Sequence, residues 1–222
     1  MTSSSLNELI DLFSKLPSLG PRSARRAVLY LLKRKKIIPR LVDSLKEVQA
    51  NTKFCSTCAN LDIIDPCAIC RNEKRKKDKI CVIEDISDLW AIEKSNAFNG
   101  QYHILGGVLS AIDGIGPEEL NILSLFDRIK NGSVKEIILA TNATVEGQIT
   151  AQYIADQCAD SQILITRLAQ GMPMGSELEI LDYNTLSTAF KSRSKISTSL
   201  SSHSALFFLF CYLSFLLLLI PH

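Results

Sequence analysis

Four cysteines, spaced Cys55-x2-Cys58-x8-Cys67-x2-Cys70, constrain this chain more than any other feature of it. A Cys-x2-Cys pair presents two thiolates to one metal from a tight turn, and two such pairs close a tetrahedral four-sulfur site, the geometry that structural zinc prefers. Four thiolates leave no open coordination position. One zinc ion here would therefore fold a knuckle too small to have a core of its own, and would not activate water. The competing reading is four incidental reduced cysteines. Cys81 opens an apolar strand and Cys158 lies on a helix, so both read as core thiols, while Cys211 belongs to a C-terminal apolar run. Met1 to Asp11 lacks a basic stretch followed by an apolar run, which makes the expected location cytoplasmic, where clustered thiols serve metals rather than disulfides.

With 222 residues the chain can bury a sizeable core in one large or two small domains. Its net charge of +2 conceals an asymmetry. Residues 1–53 carry eleven Lys/Arg against four Asp/Glu, residues 54–80 six against four, and residues 81–196 eight against fifteen. A basic front suits a polyanion such as nucleic acid, and an acidic back suits a different partner.

The front reads as helices. Leu6, Leu9, Ile10, Leu12, Phe13 and Leu16 have the spacing of an amphipathic helix over Ser5 to Leu16, with Ser5 as its N-cap. "LPSLGPRSARR" then places a turn at Leu19-Gly20 and Pro21 in the first turn of a second helix reaching Lys35. A third amphipathic helix is expected over Pro39 to Lys53. In a helix-hairpin-helix, the turn glycine (Gly20) lets backbone N–H groups at the second helix's N-terminus approach a phosphate, and the helix dipole adds favourable charge. Arg22 and Arg26 share one face and Arg25 sits beside them, an arrangement that meets DNA backbone without reading sequence. The same turn would also serve an ordinary αα-hairpin with a solvated basic face. Two "KRKK" runs, Lys33 to Lys36 and Lys74 to Lys77, flank the knuckle and strengthen the polyanion reading.

From Lys79 the pattern changes to short β-branched runs alternating with helical stretches. Strands are expected at "ICVIE", "QYHIL", "EIILA" and "QILITRL", and helices over Ser87 to Phe98, Glu118 to Lys130 and Val145 to Cys158. This alternation predicts a mainly parallel α/β sheet with ligand loops at the strands' carboxyl ends. "SELEILD" reads as an added edge strand. "DYNTLSTAFKSR" reads as a closing helix capped by Asp182 or Asn184. Beyond a Ser/Thr-rich stretch, Ala205 to Ile220 is apolar on every side; as a helix it spans about 24 Å, short of the ~30 Å hydrocarbon core of a bilayer. A shifted or extended reading frame is the favoured account of this tail, ahead of an added packing element and of a membrane anchor.

The order of glycine hairpin, four-cysteine knuckle, "ICVIED", "HILGGVLSAIDGIGP", "ATNATVEGQITAQYIAD" and "RLAQGMPMGSELEILDYNTLSTAF" resembles the RecR family of bacterial recombination mediators, from about Asn7 to Ile196. The resemblance implies four parts: a helix-hairpin-helix over residues 1–53, a four-cysteine zinc finger over 54–78, a Toprim-type α/β domain with a closing segment over 79–196, and an atypical tail over 197–222. Catalytic Toprim domains hold magnesium with a glutamate after the first strand and a D-x-D after a later one, because phosphoryl transfer needs charge neutralisation. Glu84 matches the glutamate. Against the topoisomerase-like form "ATDxDREGE", however, Ala140 to Gln148 reads "ATNATVEGQ", with Asn142 and Thr144 where the two carboxylates belong.

What the resemblance implies is therefore a non-enzymatic DNA-repair mediator. It would be a homo-oligomeric ring or clamp, dimer or tetramer, acting with RecO and RecF at single-strand gaps to promote RecA loading. Carried onto this chain, Gly20, Arg22, Arg25 and Arg26 would meet DNA phosphate, Cys55, Cys58, Cys67 and Cys70 would hold the zinc, and Glu84 and Glu146 would face a protein partner such as RecO. The chain departs from the family at Ala143, where proline is common, at Gln148, where glutamate is common, and at Ser110 to Gly114, where "SPLDG" is common. The alternatives are a metal-dependent Toprim nuclease or topoisomerase-like enzyme, with Glu84, Asp113 and Glu146 meeting in one cleft, and a zinc-stabilised scaffold for an acidic protein.

Overall fold

The computed structural model describes residues 4–131, 134–159, 161–173 and 175–193. The C-terminal apolar run lies outside the described residues. The chain forms two compact units, the first reaching Leu168 and the second beginning at Ala169.

The first unit opens with three helices, α1 (Ser4–Ser14), α2 (Pro21–Lys33) and α3 (Ile37–Asn51). Helix α1 starts one residue before Ser5, which therefore sits inside the first turn rather than capping it. Ala24 and Val28, four apart on α2, are fully buried and leave Arg22 and Arg26 on the opposite side, with Arg25 on the flank. The α1–α2 turn is made by Ser18, whose φ is 62°, and not by Gly20, whose φ is −69°. Gly20 instead caps α2 with no side chain. A Cβ built there would meet nothing within 4 Å, so its contribution is open space at the helix N-terminus. Pro39, third in α3, falls where a backbone N–H has no intrahelical acceptor, and costs the helix little.

Strands β1 (Lys53–Phe54) and β2 (Leu61–Asp62) form an antiparallel pair, followed by the single turn α4 (Ala68–Arg71). Then comes the α/β half: β3 (Lys76–Ile83), α5 (Ile86–Ser95), β4 (Gly100–Ile104), α6 (Ile122–Asn131), β5 (Glu136–Leu139), α7 (Val145–Gln157) and β6 (Leu164–Arg167). The four long-range strands run parallel in the order β4-β3-β5-β6, as the alternation predicts. Strand β3 shows why both faces are covered. Ile80 and Val82 enter a core with Ile122, Leu125 and Ile154, from α6 and α7. Cys81 and Ile83, pointing the other way, join Leu89, Tyr102 and Ile104. An apolar run buried on alternate sides is what a central parallel strand requires.

Helix α6 begins at Ile122 and not at Glu118. The Glu119 carboxylate accepts from the Gly116 N–H (2.8 Å), and Asn121 is tied to β4's end through bonds to the Leu105 and Ile104 carbonyls (2.9 and 3.0 Å). These contacts hold residues 118–121 in a turn. His103, 1 % exposed on β4, donates from Nε2 to the Asn121 carbonyl (2.8 Å). Burial, helped by the Arg128 charge, holds its imidazole down at about 4. A depressed histidine pKa means that the unfolded chain takes up the proton first, so stability is expected to fall as pH drops from 6.5 through about 4. In urea titrations across that window, His103→Gln should flatten the acid limb by up to about one proton. An unchanged slope would remove His103 from the acid response.

The second unit contains a 3-10 turn at Leu178–Ile180 and α8 (Tyr183–Lys191). "SELEILD" is thus no edge strand: it belongs to neither sheet, and Leu178 and Ile180 are exposed. Alternation over so few residues specifies a strand only when a neighbouring edge supplies the ladder. Asp182 is the cap of α8, accepting from the Asn184 and Thr185 N–H groups (2.9 and 3.0 Å) and from the Thr185 hydroxyl (2.6 Å).

Candidate metal centre and nucleic-acid interface

The knuckle is built by its turns. The Cys55 N–H donates to the Asn60 carbonyl (2.7 Å), folding Cys58 back over Cys55, with Ala59 in the left-handed region (φ 61°). The Asp65 carboxylate accepts from the Ser56 N–H and hydroxyl (2.8 and 2.9 Å), and Asp62 accepts from the Ala68 N–H (2.9 Å). These bonds bring the second cysteine pair, at the start and end of α4, against the first.

All four sulfurs lie within 4.8 Å of one another, with Cys55–Cys70 at 3.9 Å and Cys58–Cys67 at 3.6 Å. A tetrahedral ion with metal–sulfur bonds of roughly 2.3 Å places its sulfurs roughly 3.8 Å apart, so the cage has the dimension that zinc needs. Disulfide bonding is excluded by the same distances. The Cys67 N–H also points at the Cys55 sulfur (3.3 Å). Thiolates this close repel one another and call for a cation. Their mutual hydrogen bonds already divide them, holding Cys67 well below the usual thiol range and pushing Cys58 up to about 12. Among the described residues this is the only grouping of three or more Cys, His, Asp or Glu ligand atoms at metal-binding distance.

Arg22, Arg25 and Arg26 are exposed, and among the described residues no carboxylate pairs with them. They share about 100° of arc at the N-terminal end of α2, which carries no side-chain cap. Of the two "KRKK" runs, the first ends α2 and forms an exposed turn, with Arg34 stacked over the Tyr30 ring (4.5 Å). In the second, Lys74, Lys76 and Lys77 are exposed, and Arg75 alone departs from a solvated run. Arg75 turns inward, donating to the Gly100 carbonyl (3.0 Å) and pairing with Glu93, whose other oxygen accepts from the Tyr102 hydroxyl (2.7 Å). It ties the knuckle's exit to α5 and β4, a role that no spacing in the sequence announces.

At the carboxyl ends of β3 and β5, Glu84 and the "ATNATVEGQ" loop meet. Glu84 is buried, and both of its oxygens are taken by Asn142: one accepts from the Asn142 N–H and the other from its carboxamide, each at 2.6 Å. Thr144 caps α7, accepting from the Gly147 N–H (3.1 Å). Gly147 is needed for the approach, since a Cβ there would sit 2.4 Å from the Asn142 carbonyl and 2.8 Å from Glu84. Asp113 is engaged in its own turn with Ser110 (2.6 Å). Glu84, Asp113 and Glu146 therefore do not assemble a carboxylate cluster. Glu84 is also withdrawn from the partner surface expected of it, because its carboxylate is consumed within the chain. Glu146, half-buried in the first turn of α7, remains the candidate. The Asn142–Glu84 pair went unpredicted, although an asparagine in a carboxylate position facing a retained glutamate was the available signal.

Two family models match this chain: the RecR helix-hairpin-helix over residues 6–48 and the Toprim domain over residues 78–169. "Recombination protein RecR" of Sinorhizobium medicae is 50% identical over 197 residues, covering 88% of this chain and 98% of that protein. The proteins of the same name from Mesorhizobium japonicum (53% over 189 residues, 85% of this chain and 94% of that protein) and Allorhizobium ampelinum (51% over 197 residues, 88% and 98%) are similarly alike. With hairpin, four-cysteine cage and parallel α/β sheet found in that order, and half the residues shared across nearly the whole of these relatives, the chain belongs to the RecR family.

Proposed function

We propose that this chain is a DNA-binding recombinational repair mediator that catalyses nothing itself. It would hold one structural zinc and act with RecO and RecF to promote RecA loading at single-strand gaps. The observation that carries the DNA contact is the unpaired arginine face of α2, set at an uncapped helix N-terminus with open space at Gly20. Phosphate oxygens suit such a site because first-turn N–H groups, the helix dipole and guanidinium donors converge there. A non-catalytic role is supported by Glu84, whose carboxylate is bonded to Asn142 and, among the described residues, belongs to no group of three or more metal-ligating side chains.

The working division is residues 1–53 for DNA binding and oligomerisation, 54–78 for the zinc finger, 79–196 for the Toprim domain and closing segment, and 197–222 for the tail. A homo-oligomeric ring, dimer or tetramer, is supported by α3, where Leu41, Leu45 and Val48 stand 38%, 62% and 59% exposed on an otherwise amphipathic helix. Glu146 is the residue proposed to meet a protein partner. The cytoplasm is the proposed location; among the described residues no helix is long and apolar enough to cross a membrane.

Gel-shift titrations at two salt concentrations test the reading. Binding should weaken steeply with salt and depend little on base sequence, because phosphate contacts release counterions. Arg22→Ala and Arg26→Ala should each reduce the logarithmic salt slope by about one. Wild-type slopes in both variants would move the interface elsewhere. Magnesium-dependent nicking by the pure protein, abolished by Glu84→Gln, would overturn the non-enzymatic assignment.

A further inference from the structure

Strands β1 and β2 set Phe54 opposite Leu61, and the bond from the Cys55 N–H to the Asn60 carbonyl (2.7 Å) carries the pairing one step further. Successive residues of a strand point to opposite faces, and residues directly across a pair share one. Cys55 and Asn60 accordingly turn inward and are buried, while Phe54 and Leu61 turn outward, Phe54 with 68% of its surface exposed. A sheet face that meets water is ordinarily polar. Here it holds a phenylalanine beside a leucine, and Ile63, just past the end of β2, is 67% exposed. None of the three packs against a buried cluster among the described residues, so the knuckle does not use them to fold.

The charges of residues 53–77 have one prevailing sign. Lys53, Arg71, Lys74, Lys76 and Lys77 are exposed and, among the described residues, form no ion pair. The carboxylates that could answer them are spent on the knuckle's own turns. Asp65 accepts from Ser56, and Asp62 accepts from the Ile63 and Ala68 N–H groups (2.7 and 2.9 Å). Glu73 is the one carboxylate of this stretch left to oppose five cations.

An exposed aromatic ring on an unpaired basic segment fits one class of ligand. A duplex suits the cations but keeps its bases stacked inside, where no side-chain ring can lie on them. A single strand offers phosphates and free base faces together, and because every base has a π-face such stacking tolerates any sequence. We infer that the outward face of the knuckle is a stacking platform for the unpaired bases of single-stranded DNA, with Phe54 as the ring on which a base lies and Leu61 beside it. The inference rests on reading the chain as DNA-binding. It adds what the arginines of α2 do not supply, since phosphate contacts alone carry no information about whether the bases are paired.

Fluorescence anisotropy of the full-length, zinc-loaded protein, with a labelled oligothymidine and a labelled duplex of equal length, tests this. Phe54→Ala should weaken single-strand binding about tenfold, with the loss confined to the single strand, and Phe54→Trp, which keeps a stacking ring, should bind as the wild type does. The salt slope should be the same in all three, because the ring releases no counterions. Unchanged single-strand affinity in Phe54→Ala, or an equal loss on the duplex, would overturn the platform; a changed oligomeric state by light scattering with unchanged affinity would make the face a contact between copies instead. The wild type gives a readout that needs no variant. Ultraviolet crosslinking to oligothymidine should place an adduct on the peptide that contains Phe54, and adducts found only elsewhere count against the inference. A wild type that binds neither DNA would overturn the DNA-binding reading itself, and the platform with it.

Discussion

Withdrawing zinc from the full-length protein is expected to unfold the knuckle between Lys53 and Arg75 and to lower the stability of the sheet edge it touches. The knuckle's buried core consists of Cys55, Cys58 and Cys67, with Ile69 and Cys70 packed against them, while Phe54 and Ile63 stand exposed. Its two strands have two residues each. Apart from Ala59 and Ile69, which pack beside Tyr102 and Ile104, it has little buried apolar surface to offset the entropy of ordering the segment. Zinc bound to small four-ligand sites contributes an apparent ~10–16 kcal/mol at neutral pH, which is enough to decide the fold of the segment. Cys67→Ser, which removes a ligand from the N-cap of α4, should act in the same way. Metal analysis should give one zinc per chain before treatment and none after. Hydrogen exchange at Cys55 to Cys70 should then rise to unstructured rates, with a smaller rise at Ile104, whose N–H bonds the Cys58 carbonyl. Unchanged exchange after complete metal removal would mean that the turns hold without the ion.

How much of this was readable beforehand depends on how local the physics is. The cysteine spacing carried the cage because a Cys-x2-Cys turn is a local geometry, and the alternating runs carried the parallel sheet because β3 is buried on both faces. Helix ends were less legible. Glu118 to Asn121 have helical composition, but are held in a turn by bonds to Gly116 and to the end of β4, some of them seventeen residues away. "SELEILD" failed for want of a partner edge. The long-range polar contacts left no trace in spacing at all. Arg75 reads as one member of a basic run, but Glu93 and Gly100 enclose it, and Arg128 reads as one charge on an amphipathic helix, but it bonds the Tyr102 carbonyl of β4. For the candidate site, residue types were legible and occupancy was not. Glu84 reads as an available carboxylate in sequence and is a spent one in the fold.

That last difference yields the second large expected effect. Asn142→Asp restores a carboxylate of the catalytic Toprim pattern, yet at neutral pH it should destabilise the chain by about 1–3 kcal/mol, Asn142 itself being exposed. The substitution replaces a carboxamide donor 2.6 Å from a Glu84 oxygen with an acceptor, so a charge-assisted hydrogen bond becomes a contact between two like charges at a buried group. The pH dependence has a definite sign. Two carboxylates sharing a site hold one proton more tightly than free carboxylates do, so the folded variant binds more protons than the unfolded chain above about pH 4. Its stability must then fall as pH rises, and the deficit against wild type should shrink on acidification toward pH 5. A divalent cation offers the other route to neutralisation. Millimolar Mg2+ should recover part of the loss in the variant while leaving the wild type unmoved, since Asn142 already satisfies both Glu84 oxygens. Urea midpoints of both proteins at pH 5 and pH 7, with and without Mg2+, decide the matter. If the two proteins unfold together at pH 7, Glu84 does not depend on Asn142, and the loop's retreat from carboxylate chemistry needs another cause.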